Sequence, residues 1–285
     1  MIEQRAHMKN IPRQEILKSL AAESQAGRPI LAAGSSCGLI AKCAAIGGAD
    51  LLIVYSTGRS RLMGLPTSRI GDSNAATIDM AAEIRNVVSD IPVIGGVEAW
   101  DPTRMDLDQL LDDFEAAGFS GIINYPTIST MGETWRKRRG RVGLGWDREL
   151  ELVERAAARD VFSMAYVATV QDAIDMAEKG ADCLVPHVGA TAGGLVGHET
   201  ETKIEAEIHQ ITAMIDAVTS AGHEPIFLCH GGKISSPEDT RRVYEETQCV
   251  GFVGASSIER IPIEHAVKTI AEDFKSVPLA KSKNQ

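Results

Sequence analysis

The chain has 285 residues and a mass of 30.6 kDa, with 44% apolar and 24% charged residues. These fractions are typical of a globular protein with a sizeable core and exclude a disordered chain. No apolar run is long enough to span a membrane. A formal net charge of −10 argues against nucleic acid as a partner. We therefore expect no membrane and no nucleic acid among the partners, and any anion site must be built locally.

The N-terminal sequence and the cysteines indicate a cytoplasmic protein. The first segment, MIEQRAHMKNIPRQEILKSL, carries charges from its start and lacks the apolar core of an export signal. The cysteines are scattered and form no C-x-x-C pair. They therefore fit free thiols in a reducing compartment.

Short apolar runs typical of buried parallel strands alternate with amphipathic helices through most of the chain. In chain order the predicted strands are PILAAGS (29–35), DLLIVYS (50–56), PVIGGVE (92–98), GIINYPT (121–127), FSMAYVA (162–168), CLVPHVG (183–189), IFLCHGG (226–232) and GFVGAS (251–256). Helix boundaries are also readable: Thr169 and Ser236 are predicted N-caps, and Gly118 ends a helix. A further helical segment, PRQEILKSLAAESQAG, precedes the first strand.

Eight β–α units in one uninterrupted series predict an α/β fold, a (β/α)8 TIM barrel with an extra N-terminal helix. A doubly wound open sheet is the competing fold, but GSSCGL (34–39) lacks the G-x-G-x-x-G spacing of such sheets. We divide the chain into an N-terminal helical cap (1–28), the barrel (29–278) and a tail (279–285).

Four polar residues lie at predicted strand ends, where barrels place their catalytic groups. His187 and His230 follow strands 6 and 7, and imidazole titrates near neutrality, so either could act as general acid or base. Glu98 follows strand 3 and could orient one of them, and Asn124 follows strand 4 and could donate to developing oxygen charge. A strand-end histidine that only ties down a loop is the alternative.

The loops after strands 7 and 8 resemble the phosphate sites of many barrels. The predicted substrate-binding residues there are Gly231, Gly232, Gly254, Ala255 and Ser256. Glycines let an anion approach the backbone amides closely. Ser256 and Glu259 have the spacing of a capping box, which predicts a helix start facing the mouth. Ordinary turns and caps are the alternative.

Basic residues in the loop after strand 2 could neutralise an anionic substrate. Arg59 and Arg61 lie close behind the strand end, and arginine binds carboxylate and phosphate bidentately. The basic run 136–141 after strand 4 is a ligand contact, a solvated loop or an oligomer contact. The glycine-rich loop HVGATAGGLVG after strand 6 is a mobile lid, another anion-binding loop or a flexible connector.

The sequence specifies no cofactor. There is no H-E-x-x-H motif and no close acidic cluster after a strand, so a divalent metal stays open and its ligands unknown. Glu98, His187 and His230 could form a two-histidine, one-carboxylate set. No lysine at a strand end suits Schiff-base chemistry.

Several segments resemble the phosphoenolpyruvate hydrolase-like family: GGADLLIVYSTGR, NYPT, YVATVQDAIDMAEKGADCLVPHVG, LCHGG and GFVGASSIERIPIEHAV. The resemblance runs from strand 1 to the last helix. It implies a (β/α)8 barrel that acts on phosphonopyruvate or phosphoenolpyruvate. It also implies an anion site at Gly231, Gly232, Gly254 and Ser256. The loops depart from the family pattern, with Lys233 where a proline is usual.

Two functions are therefore expected as alternatives. The first is a hydrolase- or lyase-type enzyme for a small anionic phosphonate, phosphoenol or keto-acid substrate. The second is a non-catalytic barrel that senses a small anion, since relatives of the family occur fused to transcription-regulator modules. Barrels of this kind often associate, so we also expect a homo-oligomer.

Overall fold

A computed structural model describes residues 10–279. The strands are β1 (Ile30–Gly34), β2 (Leu51–Val54), β3 (Val93–Gly96), β4 (Gly121–Ile123), β5 (Phe162–Val167), β6 (Cys183–Pro186), β7 (Ile226–Cys229) and β8 (Gly251–Gly254). They close into a parallel barrel in sequential order, and β8 pairs with β1. The predicted (β/α)8 barrel is confirmed. Each predicted apolar run contains one of these strands, as expected for parallel strands that are buried on both faces of the sheet.

Helices connect the strands and surround the barrel. They are α1 (Arg13–Gln25), α2 (Gly38–Ile46), α3 (Ser56–Leu62), α4 (Ser73–Arg85), α5 (Leu107–Ala117), α6 (Glu133–Gly140), α7 (Trp146–Ala158), α8 (Val170–Glu178), α9 (Ile204–Ser220), α10 (Pro237–Glu246), α11 (Ser256–Glu259) and α12 (Ile261–Ser276). In the part of the chain from 10 to 279, no helix is both long and apolar enough to cross a bilayer.

The extra N-terminal helix is present as α1. Its residues Ile16 and Leu20 are buried and join the cluster of side chains that fills the barrel interior. The boundaries at 28 and 278 stay a matter of prediction, and residues 1–9 and 280–285 of the predicted cap and tail lie outside the described residues.

Most predicted helix boundaries hold, and one is wrong. Thr169 and Ser236 cap α8 and α10 through their side chains, and Gly118 ends α5 in the left-handed region with φ 98°. The capping box predicted for Ser256 and Glu259 is absent: Ser256 is the first residue of α11, and no side chain caps this helix. The Glu259 carboxylate is used elsewhere, as described below.

The barrel interior is packed, so no site lies inside it. The inward side chains of successive strands, among them Ile53, Ile94, Met164, Val185 and Val253, are fully buried in one cluster. Such layers leave no channel through a barrel of eight strands.

Candidate functional site

The C-terminal end of the barrel holds a cavity of about 460 Å3. Its wall is formed by the ends of six strands and by the loops that follow them. The side chains with chemical potential are Tyr55, Arg61, Tyr125, Tyr166, His187 and His230. Barrels place their active sites at this end, so this cavity is the candidate site.

The two strand-end histidines lie side by side in the cavity. His187 and His230 pair through their backbones, and their ring centroids are 4.9 Å apart. Nδ1 of His230 lies 2.7 Å from the carbonyl oxygen of Val253, and because a carbonyl only accepts, this nitrogen carries a proton. Nδ1 of His187 instead accepts the N–H of Gly189 at 3.3 Å, which leaves the proton on Nε2. The neutral pair therefore offers one basic and one proton-donating Nε2.

Burial keeps both imidazoles neutral near pH 7. It lowers the pKa of His187 to about 3, and the neighbouring His230 ring adds to the effect. Burial lowers the pKa of His230 to about 4, although the bond to Val253 favours the protonated ring. Neither Nε2 atom has a hydrogen-bond partner among residues 10–279, and both rings line the cavity. Both atoms are thus available to a ligand.

Three tyrosines pack beneath the imidazoles. The hydroxyl oxygens of Tyr55 and Tyr166 are 2.6 Å apart, and Tyr125 meets both rings edge-on. Because one hydroxyl donates to the other, the accepting tyrosine keeps its proton for another partner. The Tyr166 ring lies 5.2 Å from the His187 ring and 5.0 Å from the His230 ring, centroid to centroid. The tyrosine pair and the imidazoles therefore form one cluster.

The guanidinium of the cavity wall already has a counter-ion. Arg61 Nε donates to Glu259 Oε1 at 2.6 Å, and Ser36 donates to the other carboxylate oxygen at 2.5 Å. Arg61 Nη1 also donates to the hydroxyls of Thr57 and Thr67 at 3.3 and 3.4 Å. Arg61 and Glu259 are both buried. The pair brings no net charge to the cavity.

Glu98 is buried behind the rim and does not line the cavity. Its two carboxylate oxygens accept from Nε and Nη2 of Arg69 at 2.8 and 2.9 Å. Its backbone groups bond the side chain of Asn74. The structure therefore does not bring this predicted residue to the histidines.

Asn124 is also fully paired and lies outside the cavity wall. Its side chain bonds the backbone N–H and carbonyl of Tyr166, which ties β4 to β5. It also donates to Glu149 Oε2 at 2.6 Å. Burial raises the pKa of Glu149 to about 7. The position of Asn124 indicates a structural contribution to the strand that carries Tyr166.

Arg59 points to the surface, whereas Arg61 lines the cavity. The Arg59 side chain is 43% exposed and lies 3.7 Å from Asp79. The two arginines lie on α3, two residues apart, and residues two apart on a helix point in different directions. Only Arg61 is placed to meet a ligand of the cavity.

Gly231 and Gly232 form a turn that binds a carboxylate of the protein itself. Their φ angles are 93° and 57°, and a side chain at either would collide, with Gly189 at the first and with Glu207 at the second. The amide of Gly232 donates to the Gly189 carbonyl at 3.0 Å. The amide of Lys233 donates to both carboxylate oxygens of Glu207, at 3.1 and 3.0 Å. These two amides are therefore not available to a substrate.

The residues predicted after β8 divide between strand and cavity. Gly254 ends β8 and is not part of the cavity wall. Ala255 and Ser256 do line the cavity. The Ser256 hydroxyl lies 3.4 Å from that of Thr67, which reaches the same wall from the loop after α3.

Two groups of cavity residues were given no role from the sequence. Tyr55 and Tyr166 could have been assigned, because each continues the alternate inward positions of its strand. Thr67, His198 and Gln210 also line the cavity. They come from loops and from α9, and no local sequence pattern marks them.

These observations define a (β/α)8 barrel with a cavity of imidazole and hydroxyl groups at its C-terminal mouth. The family model described as Phosphoenolpyruvate hydrolase-like matches residues 15–277. The chain therefore belongs to the phosphoenolpyruvate hydrolase-like family.

Among curated proteins, the chain is similar to the ToMV resistance protein Tm-1(GCR237) of Solanum lycopersicum. The two are 36% identical over 275 residues, which are 94% of this chain and 36% of the tomato protein. The ToMV susceptible protein tm-1(GCR26) of the same plant is also 36% identical, over 93% of this chain and 36% of its own length. The chain thus spans little more than a third of these relatives.

Solved enzymes share the fold. A phosphonopyruvate hydrolase in complex with oxalate and Mg++ superposes with a TM-score of 0.61 at 18% identity, over 94% of this chain and 92% of that one. 2,3-Dimethylmalate lyase, a PEP mutase/isocitrate lyase superfamily member, superposes with a TM-score of 0.60 at 14% identity, over 96% and 92%. Identities this low establish the fold alone.

The residues present do not fit a magnesium site like the one that the hydrolase complex implies. Between residues 10 and 279 no group of three or more His, Cys, Asp or Glu side chains could hold a metal ion. The acidic groups near the β3 end are paired with arginines: Glu98 with Arg69, and Asp101 with Arg104 at 3.1 Å. Both carboxylates already have a guanidinium partner, so no step below uses a metal.

Proposed function

We propose that the chain is an enzyme of the lyase or hydrolase type that cleaves a bond next to the carbonyl group of a small 2-oxo acid. The observation that carries this proposal is the contact between two neutral imidazoles of opposite tautomer. Formation and breakdown of an enolate both require a base and a proton donor close to the substrate. The two imidazoles supply one of each.

The imidazoles and the tyrosine pair of the cavity have separate roles in this reaction. In a lyase reaction His230 Nε2 takes the proton of a hydroxyl on C4 of the 2-oxo acid as the C3–C4 bond breaks, and C4 leaves as a carbonyl compound. In a hydrolytic reaction the proton comes from a water that attacks the group on C3, which leaves bonded to the water oxygen. In both cases the electron pair of the broken bond forms the enolate, and C3 takes the proton back. His187 Nε2–H donates to the carbonyl oxygen on which negative charge develops. The free hydroxyl proton of the Tyr55–Tyr166 pair supplies a second donor to that oxygen.

The charge balance of the cavity favours a substrate with a single carboxylate. Arg61 is neutralised by Glu259, and both imidazoles are neutral. A phosphonate or phosphoenol would bring further negative charge without a free cation in the cavity wall to meet it, and burial of an unpaired charge is costly. The carboxylate would be held by Arg61 and by the hydroxyls of Thr67 and Ser256. Phosphonates are included in the ligand screen described next. The reason is that the family is described as phosphoenolpyruvate hydrolase-like and that a phosphonopyruvate hydrolase has the same fold.

Deuterium exchange offers a direct test. Small 2-oxo acids, phosphonopyruvate and phosphoenolpyruvate would be screened by thermal shift. Ligands that stabilise the protein would then be followed in D2O by NMR for exchange of the hydrogens beside the carbonyl and for new products. We expect exchange with the native chain and none with His230→Ala. The matched control is His209→Ala, which removes an exposed histidine of α9. Equal exchange with the native chain and His230→Ala would refute the role of His230.

A ligand sensor is the second candidate. The charge-neutral Arg61–Glu259 pair and the absence of a metal-ligand set in residues 10–279 are compatible with a barrel that binds without reacting. In the same experiment, a sensor would be stabilised by a ligand that shows neither exchange nor product.

A further inference from the structure

The cavity is larger than a three-carbon 2-oxo acid requires. Its volume is about 460 Å3, and cavities of about 300–1,000 Å3 usually bury ligands of drug size. The part that the proposed reaction uses is lined by buried residues, Tyr166, His187 and His230. The wall continues outward to Thr130 and Gln210, which are exposed. A ligand that filled this space would therefore extend beyond the reacting carbons.

The two ends of the cavity lie on opposite sides of the barrel. The strands follow one another in sequential order around the ring, so β2 is opposite β6 and β8 is opposite β4. Arg61 and Ser256, which would hold the carboxylate, follow β2 and β8. Thr130 follows β4 and Thr191 follows β6. A bound 2-oxo acid would therefore direct the carbons beyond its carbonyl group towards these two threonines.

Thr191 presents an unpaired hydroxyl in the cavity wall. The residue is only 8% exposed, and its hydroxyl makes no hydrogen bond to any group of residues 10–279. Polar groups in such a setting usually have a partner, because loss of water without a replacement is costly. The backbone here is held in place, since the amide of Ala192 donates to the carbonyl of Gly232 at 2.9 Å. The Thr191 hydroxyl is therefore available to a ligand, as donor or as acceptor.

Two further polar groups of the outer wall offer acceptors. Gln210 Nε2 donates to the carbonyl oxygen of Ala168 at 3.0 Å, which orients the amide and leaves Oε1 without a partner within residues 10–279. The Thr130 hydroxyl donates its proton to the carbonyl of Thr127 at 3.3 Å, so its oxygen can accept. An acceptor pairs with a hydroxyl, which carries a proton, but not with an ionised carboxylate or phosphate oxygen. We define the tail subsite as Thr130, Thr191 and Gln210.

The outer wall also lacks a free cation for an anionic group. In the described part of the chain, the cavity wall has no lysine, aspartate or glutamate, and its one arginine, Arg61, is already bound to Glu259. His198 is the remaining titratable side chain of the outer wall and is exposed. A phosphate or second carboxylate in this place would lose water without gaining a counter-ion. The tail subsite therefore favours an uncharged, hydroxylated chain.

We propose that the substrate is a 2-oxo-4-hydroxy acid whose carbons beyond C4 carry further hydroxyl groups, which bind to the tail subsite. This inference rests on the proposed function and selects its lyase reaction. The C3–C4 bond breaks, its electron pair forms the enolate, and the proton of the C4 hydroxyl goes to His230 Nε2 and then to C3. The products are a three-carbon 2-oxo acid and an uncharged hydroxyaldehyde, so no further reactant is needed.

Three acids with the same reacting carbons test the tail subsite. 2-Oxo-4-hydroxypentanoic acid ends in a methyl group, 2-oxo-3-deoxyhexonic acid has hydroxyls on C5 and C6, and its 6-phosphate adds charge. Both epimers at C4 would be used, and product formation followed by NMR gives kcat/KM for each acid. We expect the hydroxylated acid to exceed the other two at least about tenfold, because each added hydrogen bond contributes severalfold. An equal value for the methyl acid, or a higher value for the 6-phosphate, would overturn the proposal.

Single substitutions test the assignment to these side chains. Thr191→Val replaces the hydroxyl by a methyl group and should lower the ratio of kcat/KM between the hydroxylated and the methyl acid about fivefold. Gln210→Leu, at an exposed position of α9, should lower the same ratio and serves as a second variant if Thr191→Val does not fold. The matched control is Thr202→Val, an exposed threonine of the same loop as Thr191 and outside the cavity wall, which should keep the ratio. An unchanged ratio in the folded variants would refute the tail subsite.

Binding separates failure of this inference from failure of the proposed reaction. If no acid is cleaved, the proposed reaction is wrong, and isothermal titration with the hydroxylated and the methyl acid still tests the subsite. A dissociation constant at least about tenfold lower for the hydroxylated acid would support the subsite, and equal or unmeasurable constants would contradict it. If the methyl acid is cleaved as fast as the hydroxylated acid, the reaction stands and the tail subsite is wrong.

Discussion

The two sides of the barrel mouth differ in how their polar groups are paired. On the β6–β7 side, His187 and His230 use Nδ1 for the backbone and leave Nε2 open to the cavity. On the β3–β4 side, Glu98 and Asn124 are saturated by Arg69, Glu149 and backbone groups. Position at a strand end brings a side chain to the mouth, but only an unpaired atom can act on a ligand. The difference separates reactive from structural polar residues.

The largest effect is expected for loss of the basic imidazole. His230→Gln should lower the turnover of the true substrate by about 100-fold or more, because general-base catalysis contributes at least that much. The measurement is the initial rate of product formation, with His209→Gln as the control at an exposed position. Equal rates for His230→Gln and His209→Gln would show that His230 is not catalytic, and the two sides of the mouth would then not differ in reactivity.

Replacement of Asn124 should affect stability more than chemistry. Asn124→Ala removes one of the hydrogen-bond donors to the buried Glu149 carboxylate and leaves the backbone N–H and carbonyl of Tyr166 without their side-chain partner. We expect the free energy of unfolding to fall by about 2–4 kcal/mol. Urea unfolding measures it, and the exposed Asn86→Ala should stay within about 0.5 kcal/mol of the native chain. A stable Asn124→Ala protein with greatly reduced turnover would instead place Asn124 among the catalytic groups.

The buried histidines should also set the acid stability. Unfolded histidine binds a proton near pH 6.5, whereas the folded pKa values of His187 and His230 are about 3 and about 4. Below pH 6.5 the unfolded state binds more protons, so stability falls as the pH decreases towards 4. The slope is about 1.4 kcal/mol per pH unit for each histidine. Urea unfolding at several pH values measures the slope, and the double variant H187Q/H230Q should flatten it. An equal slope in both proteins would contradict the lowered pKa values.

Removal of divalent metal should have a smaller effect still. Because Glu98 and Asp101 are paired with arginines, we expect EDTA to leave the thermal midpoint and the turnover rate unchanged. Isothermal titration with Mg2+ or Mn2+ provides the independent measurement. Stoichiometric binding of either ion would show that a metal can replace the arginines as the partner of these carboxylates.

A similarly small effect is expected from replacement of Arg59. Its guanidinium is exposed and lies 3.7 Å from Asp79, and surface pairs of this kind contribute little. Arg59→Ala should change the free energy of unfolding by less than about 0.5 kcal/mol. It should leave the ligand-induced thermal shift unchanged, whereas Arg61→Ala should abolish that shift. Loss of the ligand-induced thermal shift in Arg59→Ala would show that Arg59 contributes to ligand binding.

Part of the site was predictable because it depends on local order along the chain. The apolar runs before His187 and His230 end where the barrel opens, so both residues reach the mouth. The tyrosines follow from strand alternation. In contrast, the glycines after β7 were predicted to hold a substrate anion, whereas the amide of Lys233 that follows them bonds Glu207 from the preceding helix of the same chain. A cytoplasmic location and a homo-oligomer stay predictions.

The sequence by itself determined the barrel, since eight apolar strands with intervening helices admit few other closed arrangements. It also determined which residues stand at the strand ends. Only the tertiary structure decided which of them are already paired: Arg61 meets Glu259 across 198 positions of the chain, and Asn124 meets Tyr166 across 42. The physical reason is that hydrogen bonds and ion pairs are short-range in space, whereas the sequence pattern records only what is close along the chain.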